Sequence, residues 1–151
     1  MNKQVSPTLS RNLDETRNFA EEILNKISKE SDHAYVLALS GDLGSGKTAF
    51  TKEFGALLGI PKSEITSPTF VIEKIYNIKH PFFKHLIHID AYRLESPDEL
   101  THLGWDDLLS DNQNIILIEW PEKVSSIIPS YAQYIDFRFI DEHAREMLLR
   151  K

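Results

Sequence analysis

Cysteine is missing from this chain of 151 residues, which removes disulfide frameworks, thiolate metal sites and thiol nucleophiles together and leaves the redox compartment open. Long apolar runs are missing too. No stretch approaches the ~20 residues that cross a bilayer, and the polar start Met1-Asn2-Lys3-Gln4 lacks the apolar core of a secretory leader. A soluble, cytoplasmic protein with no membrane partner is the expectation. Basic residues are outnumbered, 17 against 23 acidic, for a formal net charge of -6, and they form no cluster along the chain. A protein that grips nucleic acid by itself presents a basic face that neutralises phosphates, so any nucleic-acid role here has to be indirect. No serine sits in a G-x-S-x-G elbow. The one close histidine pair, His85 and His88, is three apart on a strand-like run, which puts the rings on opposite faces and excludes their chelating one ion together.

What is present is a phosphate-binding pattern in a suitable setting. Gly41, Asp42, Leu43, Gly44, Ser45, Gly46, Lys47 and Thr48 fit G-x-x-x-x-G-K-[ST]. Before them runs Tyr35 to Ser40, a nearly unbroken apolar stretch of strand length, as in a parallel sheet covered on both faces. After them Phe50, Phe54, Leu57 and Leu58 recur at helical spacing until Gly59 and Pro61 stop the helix. Strand, glycine loop and helix together aim backbone N–H groups at a polyphosphate. The glycines let the chain approach without a Cβ, Lys47 on its solvent-facing loop places an ammonium on the terminal phosphates, and the Thr48 hydroxyl is placed to ligate Mg²⁺. One nucleotide site in one domain of 151 residues follows.

Outward from this loop the pattern is mixed α/β. Pro7 to Ser10 reads as a short edge strand. An amphipathic helix begins near Asp14, with Phe19, Ala20, Ile23, Leu24 and Ile27 on its inner face and Lys26 and Lys29 near its end. That helix is a core-covering layer, and Thr16 near its start is a candidate to approach the nucleotide. Ser63 to Thr69 is a hydroxyl-rich loop stiffened by Pro68. The β-type runs Phe70 to Ile78 and His85 to Tyr92 form an antiparallel pair. Ser96-Pro97-Asp98-Glu99 starts a helix with Leu100, Leu103 and Leu108 inward, broken at Gly104. Ile115 to Ile118 is a second apolar strand, the natural neighbour of Tyr35 to Ser40. Gln133 to Ile140 alternates, with Ile135, Phe137 and Phe139 on one side, and Arg145 to Lys151 reads equally as a strand or a helical turn. The fold class is a P-loop NTPase-like mixed sheet with central parallel strands, an antiparallel hairpin and flanking helices.

A Mg-triphosphate site needs carboxylates at the ends of neighbouring apolar strands to balance the metal beside Thr48. Asp90 closes Leu86 to Ile89 and Glu119 closes Ile115 to Ile118. One would hold the metal while the other orients the attacking water, and spacing does not decide between them. The D-x-x-G and N-K-x-D patterns of a GTPase are absent, and the arginines (11, 17, 93, 138, 145 and 150) are too scattered for a kinase lid. ATP hydrolysis or ATP-dependent switching is left by elimination, with a small-molecule kinase and a non-hydrolysing ATP-binding scaffold as the rivals.

Four blocks stand together: G-D-L-G-S-G-K-T at 41–48, S-P-T-F at 67–70, H-I-D-A-Y-R-L at 88–94 and I-E-W-P-E at 118–122. In this order they resemble the TsaE family, the small ATPases of tRNA threonylcarbamoyladenosine biosynthesis. The resemblance runs from the Asp14-Glu15-Thr16 helix start to about Glu122, and Ala49 and Ala91 stand where threonine and leucine are frequent. It implies a P-loop α/β fold and ATP hydrolysis in concert with TsaD and TsaB, which modify adenosine 37 of tRNA, so that tRNA is met only through the complex. It further implies Lys47 and Thr48 as phosphate and Mg²⁺ residues, Asp90 and Glu119 as the carboxylates near the metal, Thr69 and its loop as the switch-like element, and Trp120 and Arg93 near the nucleotide or partner surface.

Overall fold

The computed structural model describes residues 6–27 and 31–150; Lys29 and the stretch Met1 to Gln4 lie outside the described residues. One seven-stranded sheet organises the molecule. In chain order the elements are β1 (Thr8–Ser10), α1 (Leu13–Lys26), β2 (Tyr35–Ser40), α2 (Lys47–Leu57), β3 (Glu73–Asn77), β4 (His85–Asp90), α3 (Pro97–His102), α4 (Trp105–Ser110), β5 (Asn114–Glu119), β6 (Gln133–Asp141) and β7 (Ala144–Arg150). A 3-10 segment at Pro121–Ile127 links β5 to β6. The sheet order is β1-β7-β6-β2-β5-β4-β3. β6, β2, β5 and β4 run parallel, and β3, β7 and β1 pair antiparallel at the two sides.

The apolar runs lie at the centre because only there are both faces covered. Leu37, Leu39, Ile115, Leu117, Ile135 and Phe137 point to one face, where Phe19, Ala20 and Ile23 of α1 and Phe50 and Phe54 of α2 pack on them. Val36, Ala38, Ile87, Ile89, Ile116 and Ile118 point to the other, under Leu100 of α3 and Trp105 of α4. Phe50 and Phe54 are fully buried. At roughly 1.5–3 kcal/mol for each such side chain, their anchoring exceeds the ~0.5–1 kcal/mol penalty of a glycine such as Gly55 inside α2, so packing rather than propensity fixes this helix. The Asn12 side chain caps α1 by accepting from the Glu15 amide at 2.9 Å, and Ser96 caps α3 by accepting from the Asp98 amide at 3.2 Å.

Four expectations are corrected in detail. The strand expected from Phe70 starts only at Glu73, because the Pro68 carbonyl accepts from the amides of both Val71 and Ile72 and closes a turn, with Ile72 at φ 70°. Its partner ends at Asp90 and not Tyr92, since the Asp90 side chain takes the Tyr92 amide. Phe139 is 57% exposed, as the far half of β6 extends beyond its pairing with β2 at Asp136 and bulges after Phe139. Leu103, expected inward, is exposed where Gly104 separates α3 from α4. As far as Arg150 the last stretch is a strand, β7 pairing with β6 on one side and β1 on the other, and Lys151 lies outside the described residues. Among the described residues no helix is long and apolar enough to cross a membrane.

Candidate functional site

The chain leaves β2 at Ser40, loops through residues 41–46 and enters α2 at Lys47. Gly41 has φ 151°, and a Cβ there would lie 2.7 Å from the Phe137 carbonyl oxygen and 2.7 Å from Ser45 Oγ, so β6 presses directly on the start of the loop. Gly46, at φ 113°, caps α2 without a side-chain acceptor for the first-turn amides. Those N–H groups, at the positive end of the helix, are available to an anion. The buried Ser45 hydroxyl oxygen inside the loop has no hydrogen-bond partner among the described residues.

Lys47 departs from the solvent-facing placement that its loop suggests: it is only 5% exposed. Its ammonium donates to the Gly41 carbonyl at 2.6 Å and lies 3.9 Å above the Trp120 ring. Burial pushes its pKa below the ordinary lysine value, against the opposing pull of Glu119, Glu122, Asp90 and Asp42. Trp120 itself holds a left-handed backbone, φ 58°, unusual for a bulky residue. Its ring also contacts Tyr92, with centroids 5.0 Å apart.

The parallel register brings the two carboxylates together. Asp90 and Glu119 are direct partners across β4 and β5, and Glu119 is one strand from the end of β2. Each is 4% exposed. Asp90 is well supplied with donors: Oδ1 accepts from the Tyr92 amide at 2.9 Å, and Oδ2 accepts from Thr69 Oγ1 at 2.8 Å and Ser67 Oγ at 3.4 Å. Thr69 and its loop are thereby latched to the end of β4. Glu119 has a different partner, His88, whose Nε2 lies 2.7 Å from Oε2.

These groups face one cavity of about 290 Å³. Its wall includes Leu43, Gly44, Gly46, Lys47 and Thr48 from the loop and helix, Ser67 and Thr69 from the hydroxyl-rich loop, and Asp90, Glu119, Trp120 and Arg145. Asp42 is exposed at the loop tip, its carbonyl accepting from the Ser45 amide at 3.1 Å. A cavity of about 260 Å³ at the other end of β2, beside His33, Tyr35 and Tyr131, has no glycine loop or carboxylate pair. Thr16 is not among the cavity residues: its buried hydroxyl lies 2.8 Å from Ser10 Oγ. Arg93 stacks on Phe70 at 4.2 Å.

Sequence reasoning missed two participants. Arg145 crosses over the loop so closely that a Cβ on Gly46 would sit 2.6 Å from Arg145 Cδ. Nothing local marks it, because it comes from a tail whose periodicity is undecided and reaches the site only through β6–β7 pairing. In the sequence His88 stands out only beside His85; strand parity, which separates those two, is what places His88 on the same face as Asp90.

The donor set fits Mg-nucleotide. The loop offers amides and a lysine to phosphates, and the metal candidates Thr48, Asp90 and Glu119 are all oxygen donors. Among the described residues no group of three or more His, Asp or Glu side chains forms a ready metal cage. An oxygen-only donor set of a hydroxyl and two carboxylates is of the type that Mg²⁺ takes, since Mg²⁺ keeps several waters and uses one or two carboxylates beside phosphate oxygens.

Among proteins of similar sequence, the tRNA threonylcarbamoyladenosine biosynthesis protein TsaE of Rickettsia typhi is 35% identical over 137 residues, 91% of this chain and 89% of the relative. Its Haemophilus influenzae counterpart is 38% identical over 127 residues, 83% and 75% of the two chains. The crystal structure of Bacillus subtilis YdiB superposes with a TM-score of 0.68 at 29% identity, covering 99% of this chain and 88% of that one. The family model for the threonylcarbamoyl adenosine biosynthesis protein TsaE matches residues 10–147, and the chain therefore belongs to the TsaE family.

Proposed function

We propose that this protein binds and hydrolyses Mg-ATP as the nucleotide-dependent member of the tRNA threonylcarbamoylation machinery, working with TsaD and TsaB. The observation that carries the reading is the convergence of Lys47, Asp90, Glu119 and the uncapped start of α2 on one cavity. The loop amides and Lys47 hold the phosphates. Thr48 and Glu119 would hold Mg²⁺, which when bound supplies positive charge to phosphate oxygens. Glu119 is favoured over Asp90 for this contact because Glu119 has one oxygen engaged by His88 and the other with no hydrogen bond among the described residues, whereas both Asp90 oxygens already accept hydrogen bonds. Asp90 instead ties the Thr69 loop and the Tyr92 turn to the site, so its carboxylate transmits occupancy to the surface and fixes where a water can stand. Arg145, over the loop, adds a second positive charge to the cavity mouth.

Phosphate release from ATP without an acceptor, measured with and without TsaD and TsaB, tests this. Release stimulated by the pair is expected. Transfer to a small acceptor would indicate a kinase, and ATP binding without release a scaffold. Asp90→Ala and Glu119→Ala should lower single-turnover hydrolysis by at least about tenfold while changing ATP affinity less, since loop contacts dominate ground-state binding.

A further inference from the structure

His88 lies one level below the carboxylates in the sheet. It pairs with Leu117 while Asp90 pairs with Glu119, so His88, Asp90, Leu117 and Glu119 share the face that carries α2. The ring is 1% exposed. Its Nε2 lies 2.7 Å from Glu119 Oε2, and its Nδ1 is buried with no hydrogen-bond partner among the described residues. A hydrogen on Nδ1 would be a buried donor left unmade, a cost of about 1–3 kcal/mol. The hydrogen therefore sits on Nε2, which donates to Glu119.

This bond has a competitor close by. Of the carboxylates acting on the Lys47 ammonium, Glu119 exerts the largest pull. Yet the ion pairs among the described residues do not include Lys47 with Glu119. An unrestrained glutamate at a strand end would rotate onto that ammonium, and both groups would then be lost to the phosphates and the metal. We infer that His88 is the positioning residue of the site: its Nε2–H anchors Glu119 Oε2, keeps the carboxylate off Lys47 and leaves Oε1 turned to the cavity. The inference rests on the hydrolysis reading above for its consequence in rate, though not for its geometry.

The full-length protein labelled with ¹⁵N-histidine tests the geometry without turnover. The His88 ring should show hydrogen on Nε2, with that resonance moved by Glu119→Gln; hydrogen on Nδ1, or no response to Glu119→Gln, would overturn the inference. In kinetics, His88→Leu fills similar space without a donor, and His88→Gln places an N–H near the position of Nε2. His88→Leu should lower kcat about tenfold to a hundredfold, the usual effect of losing the group that orients a metal-site ligand. His88→Gln should restore it to within about threefold of wild type. Both variants should match wild type in Tm within a few degrees, and His88→Leu, unlike His88→Gln, should also weaken ATP binding because Glu119 then competes with the phosphates for Lys47. Wild-type kcat in His88→Leu, or equal loss in both, would sink the positioning role. Wild-type protein that releases no phosphate with or without TsaD and TsaB would instead refute the hydrolysis reading and leave the ring spectrum to judge the bond.

Discussion

Lys47 is held by two contacts, the Gly41 carbonyl and the Trp120 face, that a polyphosphate would have to replace under the proposed function. Lys47→Ala should weaken ATP binding about a hundredfold, the loss of one charged hydrogen-bonding group worth ~1.5–3 kcal/mol, with only a small drop in Tm; calorimetry and thermal melts check both. The pH dependence has a defined sign. Burial lowers the lysine pKa from 10.5, so the ammonium loses its proton earlier than an ordinary lysine as pH rises. The unfolded chain binds more protons in that interval, so folding stability rises with pH there while ATP affinity falls, by about tenfold per pH unit. Titrating affinity from neutral pH upward should show the limb starting below 10.5, and Lys47→Arg should remove it. Gly41→Ala is expected to cost about 1–3 kcal/mol of stability, because the new Cβ meets the backbone of β6 and the residue is left at a strained φ; urea melts measure it.

Among the elements, the segment from Ser67 to Ile72 is tied to the site through one side chain, that of Asp90. Thr69 and Ser67 bond to Asp90, and two amides return to the Pro68 carbonyl. Asp90→Asn should destabilise the protein by about 1–3 kcal/mol and speed amide exchange at Val71 and Ile72 at least about tenfold; unchanged exchange would mean that the loop is held elsewhere. This segment also shows where sequence is legible and where it is not. The apolar strands β2 and β5, the glycine loop and α2 are readable because each carries its own period or motif. Asp90 and Glu119 are readable because they end such strands. The start of β3 is not legible, because Phe70 and Val71 have strand-type side chains whereas the Pro68 carbonyl decides their backbone. His88, Arg145 and the burial of Lys47 depend on strand register and on neighbours from β6 and β7, which no local window contains.

At the scale of the molecule, an acidic chain with no basic cluster carries exposed apolar side chains on and next to the loops that line its cavity: Leu43 on the wall, and Phe70 and Val71 directly after Thr69, Phe70 being 81% exposed. Such a surface suits a protein partner better than tRNA phosphates. With the Thr69 loop fastened to Asp90, ATP and a partner that both prefer one loop state must strengthen each other by the same factor. Titrations of TsaD and TsaB with ATP, ADP and no nucleotide should show the tightest binding with ATP; equal affinity in all three, or salt-resistant tRNA binding by the isolated protein, would end the switch reading. The sheet order adds a constraint of timing. The loop at 41–48 is synthesised early, but its walls are Phe137 of β6 and Arg145 of β7, and β7 in turn receives β1. On the ribosome the first third of the chain thus emerges long before its site can close, so nascent chains arrested near residue 130 should fail to photo-crosslink azido-ATP, and those extended past β7 and clear of the exit tunnel should succeed.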